Sequence, residues 1–296
     1  MRSFLPLTAV AMALLAPPVW AREIRAVASF TVLADIVRNV GGAHVAVTSL
    51  VGPNGDPHVY EPTPQDAKAL KQADVVLISG LGLEGWMTRL IKTSGYSGKV
   101  TVASNGIHTR TMTDDGKVVT DPHAWNDMAN GVIYTRNVIA ALSAADPADA
   151  ADFRRNGEVY ISKLQALDAY AKARFATLPK TQRKVLTSHD AFGYFGAAYG
   201  VTFLSPVGIS TEAEPAAADV ARLIRQIRQE HVTAYFFENS NDPRMVKQIA
   251  DATGAAPGGE LYVEALSQQD GPAASYEAMF RYNVDTLYGG MTRTPH

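Results

Sequence analysis

The feature of this sequence that most restricts its fold is an alternation of short apolar runs with helix-like segments, which begins at Ile24. Short apolar runs predict strands buried on both faces, and the amphipathic segments between them predict helices that cover those faces. A chain that alternates in this way builds parallel sheets with helices packed against them. In the first half of the chain the predicted strands are residues 24–30, 45–52, 73–80 and 99–104.

A long helical stretch, residues 126–179, interrupts this alternation. The pair Asp146–Pro147 divides the stretch into two helices, because proline cannot continue a helix. Just before it, residues 107–120 have the pattern of a polar hairpin with Asp-Asp-Gly at its turn. After it, the alternation returns in RKVLTSH, VTFLSPVG, VTAYFFEN and GELYVEAL, and the chain closes with the helical segment SYEAMFRYNVDTLYGGM.

These patterns predict an α/β fold of two lobes with mostly parallel sheets, joined by one long, rigid backbone helix. We place the N-terminal lobe at residues 22–145, the linking helix at 146–178 and the C-terminal lobe at 179–296. A single long helix is a stiffer connection than the crossing strands that let many two-lobed proteins hinge. We therefore expect small movements between the lobes.

Residues 1–21 have the pattern of a secretory signal peptide. An arginine near the start precedes an apolar run from Phe4 to Leu15, and small Ala21 stands at the expected cleavage point. The chain contains no cysteine, so we expect no disulfide, no thiolate metal ligand and no cysteine that could carry a lipid. The expected location is the periplasm, reached by the signal peptide and without a lipid anchor.

Three histidines stand at strand ends or helix entrances, where open parallel sheets bind ligands. His58 and His123 each follow an Asp-Pro pair, and His189 ends the run KVLTSH. Three neutral imidazoles and one carboxylate make a complete tetrahedral zinc site. The spacing alone leaves open the alternative that each is an ordinary surface histidine. The ring nitrogens that do not bind the metal need hydrogen-bond acceptors. By proximity in sequence, the candidates are Asp56, Asp121, Asn126 and Asp190.

The other histidines are not candidate ligands. His108 and His231 are expected at exposed positions in a loop and at a helix end, and neither His44 nor His296 stands in a comparable pattern.

Several blocks of the sequence follow one another in the order found in a known family. They are DPHVYEPTPQDAKALKQADVVLISGLGLEGW (56–86), DPHAWND (121–127), TSHDAFGYFGAAYGV (187–201), ISTEAEPAAADVARLIRQIRQ (209–229), FFEN (236–239) and SYEAMFRYNVDTL (275–287). In these blocks the chain resembles the metal-binding solute proteins of ABC transporters for zinc and manganese, called cluster A-I or cluster 9. The resemblance spans nearly the whole mature chain, and it implies two α/β lobes joined by a long helix with the metal between them.

The resemblance also implies four metal ligands, of which His58, His123 and His189 are the first three. The fourth is a carboxylate in the last βα loop, usually Asp, and here it falls on Glu264 in LYVEALS. This departure makes Glu260 and Asp270 the fallback positions. Many zinc-binding relatives carry a long His- and Asp-rich loop before the second ligand. In this chain the corresponding loop is the short segment 108–120. We consider two roles for it, a flexible lid and a contact with a partner.

The function that the resemblance implies is capture of Zn²⁺ as transported ligand in the periplasm and its delivery to an ABC permease, with Mn²⁺ as the alternative ion. Three imidazoles favour zinc, whereas manganese prefers more oxygen ligands. We do not expect an enzyme, because four protein ligands leave no position for a reacting water. A zinc hydrolase and a metal-binding adhesin are the less favoured alternatives.

The expected partners are the membrane permease and the divalent metal ion. A periplasmic metallochaperone is a further candidate, and we expect the protein to be a monomer. A net charge of −2 and a pI of about 6.4 give no electrostatic basis for binding nucleic acid.

Overall fold

The computed structural model describes residues 23–114, 116–209, 211 and 215–293. The predicted signal peptide, residues 1–21, lies outside the described residues. In the described ranges, each helix is too short or too polar to cross a membrane. Strands and helices are numbered separately along the chain.

The N-terminal lobe is built on a four-stranded parallel sheet. Its strands are β1 (Ile24–Ala28), β2 (Val45–Ser49), β3 (Val75–Ile78) and β4 (Val100–Val102), and its helices are α1 (Thr31–Gly41), α2 (Pro64–Gln72) and α3 (Met87–Ser94). The strands pair in the order β2-β1-β3-β4, all parallel. Strand β1 is buried on both faces from Ala26 to Ala28, as its apolar sequence requires. The strands are shorter than the predicted runs, because residues at the ends of the runs lie in the loops rather than in the sheet.

A hairpin and two helices follow. The hairpin pairs β5 (Thr111–Asp114) with β6 (Lys117–Thr120), and the helices are α4 (Met128–Ala145) and α5 (Ala150–Ala176). The break between the two helices falls at the predicted pair Asp146–Pro147. Proline lacks the amide that a helix needs, and it also disfavours helical backbone at the residue before it.

The C-terminal lobe repeats the architecture of the first. Its strands are β7 (Lys184–Leu186), β8 (Thr202–Leu204), β9 (Ala234–Glu238) and β10 (Ala256–Leu261), and its helices are α6 (Gly193–Tyr199), α7 (Ala217–Gln229), α8 (Arg244–Thr253) and α9 (Tyr276–Thr292). The strands pair in the order β10-β9-β7-β8, and all three pairings are parallel. The predicted α/β class with two parallel sheets is confirmed.

Helix α5 contains 27 residues, which is a length of about 40 Å. Its apolar face buries Phe153, Tyr160, Leu164 and Leu167 at helical spacing, and each such burial stabilises the fold by roughly 2 kcal/mol. The helix packs against α4 and α1 on the N-terminal side and against α9 on the C-terminal side. It is therefore a packed element of both lobes rather than a free linker.

Both lobes share a continuous apolar core. One cluster of buried side chains extends from Ala26 and Ala28 in β1, through Phe153 in α5, to Leu261 in β10 and Phe280 in α9. Because the core is common to both lobes, moving them apart would expose apolar surface to water. The carboxyl ends of the two sheets lead into the loops that carry the candidate site.

Candidate metal centre

The structure brings the four sequence-predicted ligand residues together from four separate loops. His58 lies between β2 and α2, and His123 directly follows the β5–β6 hairpin. His189 lies three residues after the end of β7, and Glu264 lies three residues after the end of β10. Each offers a nitrogen or oxygen atom, and these four atoms lie within 4.8 Å of one another. Residues up to 206 positions apart in the chain thus meet between the two sheets.

The spacing of the four atoms suits a single small ion. Oε1 of Glu264 lies 2.6 Å from Nε2 of His58, 3.2 Å from Nε2 of His123 and 3.1 Å from Nε2 of His189. Nε2 of His58 is 3.1 Å from Nε2 of His123. A tetrahedral zinc ion with bonds of about 2.1 Å holds its ligand atoms about 3.4 Å apart. The four atoms lie closer together than this and would have to move apart, by up to about 0.8 Å for the pair at 2.6 Å, to hold such an ion.

The loop that carries His58 is held by contacts around the preceding proline. Oδ1 of Asp56 accepts a hydrogen bond of 2.7 Å from the backbone amide of His58. The indole N–H of Trp86 donates to the carbonyl of Pro57 at 2.8 Å, and the ring of Tyr60 packs edge-on against Trp86. These two hydrogen bonds hold the peptide that joins Pro57 to His58.

His123 is oriented by Asp121, which the sequence analysis named as a candidate acceptor. Oδ1 of Asp121 accepts hydrogen bonds from the backbone amide of His123 at 3.0 Å and from its ring Nδ1 at 2.9 Å. The Nδ1–H bond leaves the lone pair of Nε2 directed toward the other three ligand atoms. A carboxylate behind an imidazole fixes its tautomer and makes it a stronger metal ligand.

His189 is oriented by Glu238, a residue that the sequence analysis missed. Oε2 of Glu238 accepts from ring Nδ1 of His189, and Oε1 accepts from the backbone amides of Ser188 at 3.1 Å and His189 at 3.2 Å. Asn241 donates to the same carboxylate at 2.8 Å. One signal in the sequence could have identified Glu238. In the alternating pattern of β9 it falls on the buried side with Ala234 and Phe236, and a buried carboxylate needs hydrogen-bond partners.

The other three proposed acceptors do not bond to a ligand imidazole. Asp56 holds the backbone of His58 and also accepts from Thr211 Oγ1 at 2.5 Å. The side chain of Asn126 donates to the carbonyl of Ala191 at 3.1 Å. Asp190 contributes its backbone amide, which donates to Val207 at 3.0 Å. Nearness in sequence therefore identified one of the two carboxylates that orient the histidines.

The fallback carboxylates lie away from the four ligand atoms. Glu260 accepts from the hydroxyl of Tyr262 at 2.9 Å, and Asp270 is exposed. His108 and His231 are exposed, as expected.

His44 lies between two carboxylates in a second, partly exposed cluster. Its Nδ1 is 2.8 Å from Asp149 and its Nε2 is 3.2 Å from Asp152. Both ring nitrogens are thus already engaged by acids, so this cluster is an ion-pair contact between the start of β2 and helix α5.

Burial and charge act against each other in the metal centre. Burial by itself raises the pKa of Glu264, but the imidazoles of His58 and His189 outweigh it and hold the pKa of that carboxyl well below its usual range. Burial lowers the pKa of His189, yet Glu238 and Glu264 raise it well above the ordinary value. Burial likewise lowers the pKa of His123, but Asp121 and Glu264 raise it overall. The site therefore attracts positive charge, whether protons or a metal ion.

The ligand side chains differ in their access to solvent. The side chain of His58 is 6% exposed, whereas those of His123, His189 and Glu264 are 0%, 1% and 0% exposed. Of the four side chains, that of His58 is therefore the most accessible to solvent. Three imidazoles and one carboxylate would fill a tetrahedral shell without a water, which is the arrangement of a binding site rather than of a catalytic one.

Comparison with known families and proteins agrees with this geometry. The family model described as ZnuA, zinc-uptake complex component A, periplasmic, matches residues 26–290. The chain is 31% identical over 281 residues to SloC of Streptococcus mutans, a metal ABC transporter substrate-binding lipoprotein, covering 92% of this chain and 91% of that protein. It is 33% identical over 272 residues to MntA of Bacillus subtilis, a manganese-binding lipoprotein, covering 90% and 89%.

A solved structure has the same architecture. The periplasmic zinc-binding protein TroA of Treponema pallidum superposes with a TM-score of 0.85 at 31% identity, covering 92% of this chain and all of that one. The predicted fold of two parallel lobes and a long helix is thus found in a related metal-binding protein.

The expectation of a protein without a lipid anchor is wrong on these findings. SloC and MntA, which match about nine-tenths of this chain, are both named lipoproteins. The expectation depended on the lack of a cysteine in this chain.

The remaining features agree with one assignment. The order of the sequence blocks, the two parallel lobes and the convergent histidines all match the family model, which covers most of the chain. The chain therefore belongs to the ZnuA family: it is a periplasmic metal-binding protein of an ABC transporter, which binds a divalent metal ion as its cargo, works with a membrane permease and is not an enzyme.

Proposed function

We propose that the protein captures Zn²⁺ on His58, His123, His189 and Glu264 and delivers it to its permease. The observation that carries the proposal is the convergence of three Nε2 atoms on one carboxylate oxygen, at separations of 2.6 to 3.2 Å. Three nitrogens and one oxygen are a typical zinc set, and zinc also exceeds manganese in intrinsic affinity for such ligands.

Manganese is the second candidate, and a specific observation favours it. MntA, whose name describes manganese binding, is 33% identical to this chain, whereas TroA, named for zinc, is 31% identical. A Glu264 that bound through both oxygens would raise the coordination number and suit manganese better. The ligand set favours zinc, and the relatives' names support both ions.

Metal analysis distinguishes the two ions. Protein purified without added metal is examined by native mass spectrometry with elemental analysis, and we expect one zinc ion per chain. After chelation, Zn²⁺ should raise the melting temperature more than Mn²⁺ does at equal free concentration, since binding stabilises by about 4 kcal/mol at a thousandfold excess over the Kd. A larger effect of Mn²⁺ would favour the manganese assignment.

Substitutions test the ligand set itself. His58→Ala, His123→Ala and His189→Ala should each weaken zinc binding at least about tenfold, a loss of about 1.4 kcal/mol. His108→Ala and His231→Ala are matched controls at exposed positions and should bind zinc like the parent. Comparable damage from a control variant would mean that the ligand set is wrong.

The fourth ligand needs its own comparison. Glu264→Gln keeps the size and an acceptor oxygen but removes the charge, so zinc affinity in isothermal titration should fall clearly. Glu264→Asp should bind nearly as well as the parent, because it restores the family's usual residue. Glu260→Gln and Asp270→Asn serve as controls. If Glu264→Gln retained its zinc affinity and one of these control variants lost it, the fourth ligand would be the residue changed in that control.

The same proposal covers oligomeric state and chain organisation. One chain supplies all four ligands, which supports a monomer. We keep 1–21 as signal peptide, 22–145 and 179–296 as the lobes, and 146–178 as the linking helix. A metallochaperone partner stays a prediction.

A further inference from the structure

Gly193, the first residue of α6, lies directly against the carboxylate that orients His123. A Cβ atom placed on Gly193 would be 2.5 Å from Oδ2 of Asp121. Side-chain carbons do not approach a non-bonded heavy atom this closely, so any larger residue would require the carboxylate or the start of α6 to shift. The contact joins the C-terminal lobe, which carries Gly193, to the segment that carries His123.

Asp121 has little freedom to move away. Its backbone amide donates to the carbonyl of Arg110 at 3.0 Å, and its own carbonyl accepts from the hydroxyl of Tyr194 at 3.2 Å. Oδ1 is engaged by the amide and the ring of His123, and the side chain is buried. With its backbone held, the carboxylate avoids a new methyl group by rotating, and that rotation takes Oδ1 away from the ring of His123.

Backbone conformation does not explain the glycine. Unlike Gly200 at the end of the same helix, which has a φ of +70°, Gly193 lies outside the left-handed region. Alanine is also the better helix former, so local preference would favour it at this position. The glycine is therefore explained by the carboxylate of Asp121, which occupies the space that a side chain at position 193 would need.

We infer that Gly193 is a positioning residue of the metal centre: its missing side chain is the space in which the Asp121 carboxylate holds the ring of His123. The inference rests on the proposed function, in which His123 is a ligand. The block TSHDAFGYF would then serve two of the proposed ligands. It supplies His189 directly, and four residues later it supports His123 of the other lobe.

The first test compares two alanine substitutions in helices. Gly193→Ala should weaken zinc binding about tenfold or more, in the range typical of changes behind a metal-bound histidine. Gly289→Ala is the matched control, because Gly289 lies in α9 with open space around its Cα and no left-handed φ. The control should bind zinc like the parent, as measured by competition against a calibrated zinc chelator. Parent-like affinity of Gly193→Ala would overturn the inference.

The second test separates positioning from a general effect on folding. In an Asp121→Ala background the carboxylate is gone, so adding Gly193→Ala should change zinc affinity less than twofold. If Gly193 served only the stability of α6, both backgrounds would lose affinity and melting temperature equally, and the inference would be wrong. Should Gly193→Ala fail to fold, Asp121→Ala/Gly193→Ala must fold for the inference to stand.

Zinc binding by the parent protein tests the proposed function separately from the role of Gly193. Failure of the parent protein to bind zinc would contradict the proposed function. Zinc binding by the parent together with unchanged binding by Gly193→Ala would contradict only the role of Gly193.

Discussion

At the scale of single residues, the candidate metal centre includes two carboxylates that lie behind the histidines, outside the group of four ligand atoms. Asp121 and Glu238 each bond to the ring nitrogen of a histidine that faces away from the other ligands. With Glu264 they bring three carboxylates to the candidate centre. The proposed ligand set contains only one of these carboxylates, so the site is more negative than the ligand set alone suggests.

We predict that Glu238→Gln weakens zinc binding about tenfold, because an amide in place of the carboxylate removes the charged acceptor from Nδ1 of His189. Isothermal titration measures the change. Asp242→Asn is the matched control. Asp242 is also an acid near the end of β9, but it forms an ion pair with Arg244 and does not contact a proposed ligand. Equal affinities of Glu238→Gln and the parent would remove Glu238 from the site.

A second prediction at this scale concerns pH. The pKa values of His123 and His189 are raised in the metal-free protein above an unfolded value of about 6.5. Their charged forms stabilise the fold fully below that pH, and the contribution is lost as pH rises through the raised pKa values. The metal-free protein should therefore become less stable as pH increases from about 6.5.

Zinc should show the opposite dependence, because it binds neutral imidazoles and must displace the protons. Thermal melts with chelator and with zinc, from about pH 6 to pH 9, should show a zinc-induced shift that grows with pH. Glu264→Gln provides the control: its metal-free stability should depend less on pH. A zinc-induced shift that shrinks toward high pH would contradict the prediction.

At the scale of secondary-structure elements, one buried acid ties three helices together. Oδ2 of Asp35 in α1 accepts from the hydroxyl of Tyr160 in α5 at 3.2 Å and from the backbone amide of Tyr276, the first residue of α9, at 3.0 Å. A carboxylate at the start of a helix is also favoured by the helix dipole. Burial raises the pKa of Asp35, and these hydrogen bonds oppose that rise.

We predict that Asp35→Ala lowers the free energy of unfolding by about 2 kcal/mol, because it leaves a buried hydroxyl and a buried amide without their charged acceptor. Urea denaturation measures the loss. Asp285→Ala is the control, since Asp285 makes the corresponding α5–α9 contact with Tyr170 at the exposed surface and should cost less than about 1 kcal/mol. Equal losses would show that burial of Asp35 is unimportant.

At the scale of the whole molecule, the two lobes are joined more firmly than their separate sheets suggest. The indole N–H of Trp125 donates to the carbonyl of Val263 at 2.7 Å, and the amide of Leu266 donates to Thr31 Oγ1 at 2.9 Å. These bonds connect the N-terminal segments to the loop that carries Glu264. Together with the shared core, they leave little room for a wide hinge.

We predict that zinc binding leaves the radius of gyration of the protein unchanged within error. Small-angle scattering of metal-free and zinc-loaded protein measures it, with the melting temperature as evidence of loading. The reason is that opening would break the bonds of Trp125 and Leu266 and expose apolar core. A clear decrease in radius upon loading would show that the lobes close around the ion.

Much of the architecture and most of the candidate site can be predicted from the chain alone. The βα alternation predicts parallel sheets because strand and helix periodicities are local properties, and the break at Asp146–Pro147 follows from the chemistry of proline. His58, His123 and His189 are recognisable because they follow strand ends or Asp-Pro turns. Glu264 depends on the family resemblance, since a glutamate in a loop has no distinctive local pattern.

Tertiary structure decides the support behind the ligands. Glu238 reaches His189 across 49 residues because β9 and β7 pair side by side, and no local pattern of the sequence encodes that pairing. Gly193 meets Asp121 only when the two lobes come together. Residue types and periodicity set which groups are available to a site, whereas strand order and lobe contact determine which of them lie within hydrogen-bond distance.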